Sequence, residues 1–312
     1  MNRRREMQEE SILTVDDLVV SFSMYKGFFH KEDLEVVHSL SLDVKKGEIV
    51  AVVGSSGSGK SLLAHAIMGL LPNNANVSGK ISYKGEEMTA KRRKELLGRK
   101  MVFIPQSVDY LDPVMKVGKQ VRGVYSTKQR QEEMFEKYKL EKEVEEMYPF
   151  QLSGGMARRV LVSSAVMEFP ELIIADEPTP GLSVDMAMDT LKHFREIADN
   201  GAGVLLITHD IDLAFHVADR IAVFYAGTIV ESAPTEDFLA GAEKLRHPYS
   251  KAFISALPQN EFQAISGVQP YAANLPDGCL FADRCPNVTE ECRGEIPMRS
   301  LRGGKVRCVH AT

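Results

Sequence analysis

The sequence predicts an α/β protein with a parallel sheet whose strands end in ligand-binding residues. At 49–53 an apolar run with the length of a buried strand leads into a glycine-rich turn and then a helical segment. Two further apolar runs, within 172–177 and 204–210, end in polar side chains. Open α/β sheets bind ligands at the carboxyl ends of their strands. We therefore expect one crevice at that edge, formed by these three segments.

The glycine-rich turn fits the pattern of a phosphate-binding loop, which is Gly, four residues, Gly, Lys and then Ser or Thr. Its residues are Gly54, Ser55, Ser56, Gly57, Ser58, Gly59, Lys60 and Ser61. Glycines let successive backbone N–H groups point inward at phosphate oxygens. Lys60 can reach the β- and γ-phosphates, and the Ser61 hydroxyl can bind Mg²⁺. The alternative, a flexible turn that binds nothing, leaves the Lys60-Ser61 pair unexplained.

Composition narrows the class of protein. The chain has 312 residues, of which 44% are hydrophobic, and its formal net charge is −5. A negative charge is a poor match for a dominant nucleic-acid surface, which is usually basic. No apolar run approaches the roughly 20 residues that a membrane helix needs. No apolar segment follows the basic residues 1–6, so we expect no secretory signal and a cytosolic protein that can dock on a membrane partner.

Acidic and histidine side chains follow the other two strands. Asp176 suits a Mg²⁺ site, and Glu177 suits a base that orients an attacking water. An acidic strand end without any ligand is the alternative for these two carboxylates. His209 lies at the third strand end, where a lone histidine is more often structural. Gln106 stands where another predicted strand, 101–104, gives way to a loop.

A second helix start lies downstream of a charged helical region. Ser153 stands where an N-cap residue belongs, and with Gly154 and Gly155 it forms a helix start that can accept an anion. A capped helix that binds nothing is the alternative. Near the N-terminus, Phe22 ends the first predicted strand and is either a base-stacking ring or an ordinary core residue. Residues 27–33 are expected to form a turn.

All cysteines lie in the last segment of the chain, 242–312, which is rich in proline and shows little periodicity. They are Cys279, Cys285, Cys292 and Cys308. In a reducing compartment such clustering indicates a metal or cluster site more than disulfides. The spacings match neither the close pairs common in zinc sites nor the usual ferredoxin runs. An iron–sulfur cluster, a zinc ion and unligated thiols all stay open.

In this order the motifs resemble the nucleotide-binding subunit of an ABC transporter. The matching segments are 54–61 (Walker A), Gln106 (Q-loop), 152–156 (signature), 172–177 (Walker B with the catalytic Glu) and His209 (switch). The tail, at 247–258 and around its cysteines, is similar to the oligopeptide, dipeptide and nickel importer branch. Residues 69–72 are similar to the D-type member of the paired ATPases in that branch.

The resemblance implies a fold and a division of the chain. The expected architecture is a P-loop NTPase core, RecA-like, with an N-terminal antiparallel β subdomain and a helical signature subdomain. A small extension carries the cysteines. The cassette is expected over 1–241, with its helical subdomain at about 107–170, and the extension over 242–312.

The resemblance also implies roles for single residues in two subunits that enclose two ATP molecules. The residues expected to bind ATP are Phe22, Gly54, Ser55, Ser56, Gly57, Ser58, Gly59, Lys60 and Ser61, with Ser153, Gly154 and Gly155 contributed from the facing subunit. The residues expected to bind Mg²⁺ are Ser61, Gln106 and Asp176. The expected catalytic residues are Glu177, His209 and Gln106. In this branch the four cysteines imply a [4Fe–4S] cluster, or Zn²⁺ as the alternative.

The implied function is ATP hydrolysis that energises import of dipeptides, oligopeptides, nickel or metal chelates. The expected partners are a second, paralogous ATP-binding subunit, two transmembrane permease subunits and an extracellular substrate-binding protein, with no nucleic acid. We expect a peripheral position on the cytoplasmic face of the cell membrane. A soluble ABC ATPase that acts on nucleic acid or ribosomes is the alternative, but it predicts tandem cassettes, coiled coils or basic arms.

Three features depart from the family pattern. The signature ends in Met156 where the family usually has Gln, and the loop after Walker B has Ser183 where Asp is usual. The segment between Gln106 and Ser153 is shorter than in typical members of the branch. Because that segment normally contacts the membrane subunits, we expect resemblance to be a weaker guide to cargo here than elsewhere in the branch.

Overall fold

The computed structural model describes residues 10–26, 30–124, 126–260 and 262–312, with residues 26, 30 and 31 described by their backbone alone. Its strands are β1 (Ser11–Lys26), β2 (His30–Lys45), β3 (Ile49–Val53), β4 (Ala75–Tyr83), β5 (Glu86–Glu87), β6 (Met101–Ile104), β7 (Leu172–Asp176), β8 (Gly203–Thr208), β9 (Arg220–Tyr225), β10 (Thr228–Pro234), β11 (Arg299–Leu301) and β12 (Gly304–Val306). Its α-helices are α1 (Lys60–Met68), α2 (Ala90–Leu96), α3 (Val117–Arg122), α4 (Lys128–Lys137), α5 (Gly154–Ala165), α6 (Val184–Asp199), α7 (Ile211–Phe215), α8 (Thr235–Leu239) and α9 (Pro248–Ser255).

The chain forms two compact units, each of which is discontinuous in sequence. The described residues of the first lie within 10–12, 44–49 and 89–208, and those of the second lie within 13–43, 50–88 and 209–312. The phosphate-binding loop therefore belongs to the second unit, and the acidic strand end belongs to the first. The predicted boundary at residue 241 rests on a change in composition along the chain, and it stays a prediction.

The centre of the first unit is a parallel sheet in which β7 pairs with β6 on one side and β8 on the other. Every residue of β7 and β8 is buried. Their continuous apolar sequences follow from this burial, because a parallel sheet is covered on both faces. Helix α6 buries Ala187, Leu191, Phe194 and Ala198, a stripe at helical spacing.

The second unit contains a mixed sheet. Strand β3 pairs in parallel with β9, the β9–β10 hairpin is antiparallel, and β12 pairs antiparallel with both β10 and β11. The last two strands come from 242–312, so the C-terminal segment extends the sheet of the unit that holds the phosphate-binding loop. Strands of three residues are too short to show an alternating pattern in the sequence.

A second sheet in this unit has the strand order β2-β1-β4-β5, which is the predicted N-terminal antiparallel layer. The predicted turn at 27–33 is wrong for residues 30–33, because β2 already begins at His30; residues 27–29 lie outside the described residues. Strand β2 forms an edge of its sheet, and charged side chains are common on edge strands. The charged residues at the start of β2 therefore led to the prediction of a turn, although the backbone is extended.

Candidate functional site

The turn after β3 requires glycine at three positions. A Cβ atom on Gly54 would lie 2.4 Å from the carbonyl oxygen of Phe224, so no side chain fits there. Gly57 has a φ of +74° and Gly59 a φ of +98°, which is the left-handed region that side chains rarely adopt. The loop thus curls tightly before α1 begins at Lys60.

Two side chains of this loop indicate that it binds an anionic ligand. The buried ammonium of Lys60 donates to the carbonyl oxygens of Gly54, at 2.9 Å, and Ser55, at 2.8 Å. The Ser58 hydroxyl is buried and has no hydrogen-bond partner within the described part of the chain. An unsatisfied buried polar group costs about 1–3 kcal/mol, which a phosphate oxygen would offset. Ser61, on the first turn of α1, is half-buried. These residues fit a magnesium-bound nucleoside phosphate.

The acidic strand end of the first unit is buried and strained. Asp176, the last residue of β7, is 1% exposed, and Glu177 is 7% exposed. The backbone of Glu177 has a φ of +48°, and its N–H donates to the carbonyl oxygen of Ile207 at 2.9 Å. A residue other than glycine held in this region costs of order 1–3 kcal/mol, and such positions cluster at functional sites.

Arg158 is a functional candidate that the sequence did not reveal. This buried side chain of α5 donates from Nη1 to the carbonyl oxygen of Pro105, at 2.6 Å, and from Nη2 to that of Gln106. Burial lowers the pKa of Arg158, and the carboxylates of Asp176 and Glu177 oppose that shift. Arg158 thus binds the loop at Gln106 and lies within electrostatic range of the acidic strand end. The sequence signal, the first arginine of a pair just after the signature, is too weak to single it out.

The signature segment starts α5 as predicted. Ser153 caps the helix, and its Oγ accepts from the backbone N–H of Met156 at 3.3 Å. The position of a Cβ on Gly155 lies only 3.1 Å from the carbonyl oxygen of Gly181, so the signature turn and the loop after β7 are closely packed. Ser183 caps α6. Since Asp would serve as an N-cap equally well, the departure at Ser183 leaves the helix start intact.

Of the remaining predicted residues, two follow the ends of strands and the third, Phe22, lies within one. Gln106 is exposed beyond β6 in the first unit, and His209 is exposed after β8 in the second. Because β6 and β7 pair in parallel, with Ile104 opposite Ala175, Gln106 follows β6 at the same sheet edge as the acidic strand end. Phe22 is half-buried on β1, where it pairs in register with Ala75 of β4.

The four cysteines lie in the second unit at two depths. Cys292 and Cys308 are buried, Cys279 and Cys285 are half-buried, and all are free thiols. Burial, together with the charge of the other three sulfurs when they are ionised, raises the pKa of Cys279 to about 11. Within the described residues, no three His, Cys, Asp or Glu side chains are arranged to hold a metal ion. The thiols share one neighbourhood without forming a ready ligand set.

No α-helix in the described ranges has both the length and the hydropathy to cross a bilayer.

Two family models match the chain. One, described as ABC transporter, matches residues 37–180, and the other, described as Oligopeptide/dipeptide transporter, C-terminal region, matches residues 230–292. The first match holds the phosphate-binding loop, the signature and the acidic strand end. The second runs from β10 through Cys292.

Curated relatives cover nearly the whole chain. The Probable D,D-dipeptide transport ATP-binding protein DdpD of Escherichia coli (strain K12) is 33% identical over 96% of this chain and 96% of its own length. The Dipeptide transport ATP-binding protein DppD of Bacillus subtilis (strain 168) is 34% identical over 94% of this chain and 92% of its own. The Oligopeptide transport ATP-binding protein OppD of Lactococcus lactis subsp. cremoris (strain SK11) is 35% identical over 93% of this chain and 90% of its own.

Solved structures share the fold. The ATP-binding cassette MJ0796, in a dimeric post-hydrolysis state bound to ADP and Pi, gives a TM-score of 0.63 at 24% identity, covering 72% of this chain and 98% of that chain. A nucleotide-free ATP-binding cassette from an ABC transporter gives a TM-score of 0.58 at 22% identity, covering 80% of this chain and 96% of that chain.

Proposed function

We propose, from the premise that this chain belongs to the ABC transporter ATP-binding proteins of the oligopeptide and dipeptide family, that it energises import of dipeptides or oligopeptides. The relatives named above support a peptide cargo. Nickel or a metal chelate is the alternative cargo that the sequence left open. The observation that carries the energising role is the glycine-constrained loop, with the ammonium of Lys60 and the Ser58 hydroxyl, which lacks a hydrogen-bond partner among the described residues.

The loop is proposed to bind the phosphates of ATP. Backbone N–H groups of 54–59 and the ammonium of Lys60 surround the phosphate oxygens, and the Lys60 ammonium exchanges its carbonyl partners for them. Ser61, Gln106 and Asp176 are the proposed ligands of Mg²⁺, which neutralises charge on the β- and γ-phosphates. Hydrolysis needs little covalent help from the protein, because phosphoryl transfer depends chiefly on positioning and charge stabilisation.

Glu177 is proposed to orient the attacking water, with His209 and Gln106 beside the γ-phosphate. The site is proposed to be completed by Ser153, Gly154 and Gly155 of a second subunit, whose helix start offers backbone N–H donors. Removing one preorganised donor typically costs about 3–4 kcal/mol of transition-state stabilisation. A single subunit lacks several donors and should therefore hydrolyse ATP slowly.

The proposed assembly has a paralogous second ATP-binding subunit, two transmembrane permease subunits and an extracellular substrate-binding protein. This chain would lie peripherally on the cytoplasmic face, with the loop at Gln106 transmitting closure to the permeases. Its proposed domains are a cassette over 1–241, including a helical subdomain at about 107–170, and an extension over 242–312.

For the cysteines we propose an iron–sulfur cluster as the first occupant to test, with zinc as the alternative. The proposal is supported by the fold of this segment, in which the N–H of Cys279 donates to the carbonyl oxygen of Cys292 at 2.8 Å. The thiols as they stand do not fit a metal ion, since no ligand set is formed within the described residues, and we assign the group no step in the mechanism. Anaerobic purification with iron, sulfide and zinc quantitation separates the three outcomes.

The test of the transport proposal is uptake into vesicles. The chain is co-expressed with its neighbouring permease and ATPase genes, and the complex is reconstituted with the binding protein. ATP-dependent uptake of labelled dipeptides or oligopeptides is the expected result. If ATP hydrolysis responds to nickel or a chelate and not to peptides, the cargo is nickel or the chelate instead of a peptide. A failure to co-purify with membrane subunits would refute the transport role.

A further inference from the structure

Two exposed tyrosines from distant parts of the chain line the same cavity. Tyr25 lies near the end of β1 and is 70% exposed, and Tyr271, in the C-terminal segment, is 66% exposed. The cavity they line has a volume of about 540 Å³, within the range of small-molecule sites, about 300–1,000 Å³. Both rings, the surrounding residues and the phosphate-binding loop belong to the second compact unit.

Both walls of this cavity continue to the phosphate-binding loop. On one side, the carbonyl oxygen of Val36, which lies between lining residues of β2, is 3.8 Å from the Cβ position of Gly59. On the other side, Gln269 lies only two residues before Tyr271, and its Oε1 accepts from the hydroxyl of Ser55, in the loop, at 3.1 Å. A nucleotide whose phosphates occupy the loop therefore has the cavity within reach of its other end.

The charge of the cavity selects the uncharged end of a nucleotide. Three of its lining residues, Glu32, Asp33 and Glu35, are carboxylates. Asp33 accepts from the Ser23 hydroxyl at 2.5 Å, and Glu35 lies 2.6 Å from Nδ1 of His38, which also lines the cavity. Negative charges there repel phosphate, whereas the cationic Lys60 lies in the loop. Carboxylate oxygens can accept hydrogen bonds from ribose hydroxyls or an adenine amino group. Tyrosine rings offer the aromatic faces on which a base stacks.

The segment that carries Tyr271 is held in place before any ligand binds. A 3₁₀ turn follows the tyrosine, and the N–H of Asn274 donates to the Tyr271 carbonyl oxygen at 2.8 Å. Upstream, Nε of Arg284 donates to the carbonyl oxygen of Ser266 at 2.7 Å. Because these bonds already order the segment, little ordering entropy is lost when a base binds.

We propose that Tyr271 contacts the adenine base of ATP in the same chain, together with Tyr25, so that the C-terminal extension forms part of the nucleotide site. The inference rests on the proposed binding of ATP phosphates by the loop at Lys60. It shifts the base contact away from Phe22, which lies three residues before Tyr25, faces Ala75 on β4 and does not line the cavity.

The test measures two affinities of the full-length chain, for ATP and for inorganic tripolyphosphate, which lacks the base. Tyr271→Ala should weaken ATP binding about 5- to 100-fold, the size of one lost base–aromatic stack. Its affinity for tripolyphosphate should be unchanged, and Tyr271→Phe should bind ATP like the wild type. Phe262→Ala is the matched control, since Phe262 is an exposed aromatic residue of the same extension, outside the cavity.

A second variant separates the inference from its premise. Lys60→Ala should weaken both ligands. If it does so while Tyr271→Ala binds ATP normally, the inference fails and the loop assignment stands; if Lys60→Ala binds both ligands normally, the premise fails. Photolabelling with 2-azido-ATP gives direct evidence: label on residues 271–275 supports the contact, and label confined to residues outside this segment and Tyr25 overturns it.

Discussion

The phosphate-binding loop and the C-terminal extension are held by different physics. In the loop, backbone geometry leaves no choice of residue, since Gly54 lies against the Phe224 carbonyl and its neighbours need a positive φ. The extension depends on side chains that meet across the sequence: Arg246 is 2% exposed and forms ion pairs with Glu231, at 3.3 Å, and Asp237, at 2.6 Å. Spacing therefore reveals the chemistry of the loop, whereas the contacts that hold the extension are visible only once the chain is folded.

The largest expected effect is a loss of stability when the side-chain network of the extension is broken. Glu231→Gln leaves the buried Arg246 short of a negative charge, and breaking one member of a buried pair costs about 3–5 kcal/mol. Urea unfolding should show this loss, while Glu243→Gln, on an exposed neighbour, should change stability by less than about 0.5 kcal/mol. Wild-type stability in Glu231→Gln would mean that the network does not hold the extension.

The sequence predicted the ABC fold and family; the relatives confirm the family, and the solved cassettes confirm the fold. Loop chemistry was predictable because the pattern of 54–61 is local. The contacts of Arg158 were not predictable, because its partners Pro105 and Gln106 lie more than 50 residues upstream. The strands β11 and β12 were missed since three residues show no period. The roles of Glu177, His209 and Phe22 stay predictions.

The next effect is on function and not on stability: a substitution in the loop should weaken ATP binding and leave the fold intact. Lys60→Ala should weaken ATP binding about 100-fold, the size of one lost preorganised charged donor, with little change in the free energy of unfolding. Titration calorimetry measures the affinity, and Lys91→Ala, on the exposed surface of α2, is the control. Unchanged ATP affinity in Lys60→Ala would contradict the phosphate role of the loop.

A smaller effect concerns pH and again lies in the extension. Burial lowers the pKa of His247 to about 3, so the folded chain keeps this side chain neutral. The unfolded chain, with a pKa near 6.5, binds more protons between about pH 3 and 6.5, and stability therefore falls as pH drops through this range. We expect His247 to account for about 2 kcal/mol of the loss between pH 7 and 5.

Two variants isolate this contribution. His247→Asn keeps a capping acceptor at the start of α9 but cannot titrate, so its urea-unfolding free energy should fall less between pH 7 and 5. His216→Gln, at an exposed position, should follow the wild type. Burial also lowers the pKa of the buried His193, to about 4. His193 therefore contributes a further loss of unfolding free energy, which is the same in every variant. Equal losses in His247→Asn and the wild type would rule out the assignment.

The central claim is that this chain binds ATP at its loop and uses Glu177 to hydrolyse it. The most direct test is Glu177→Gln in the purified transporter complex, with Glu132→Gln on the exposed face of α4 as control. The account predicts that Glu177→Gln binds ATP with wild-type affinity and that turnover at this chain's site is lost, because the base is neutralised while the phosphate-binding groups remain. ATP hydrolysis at that site at the wild-type rate would contradict it.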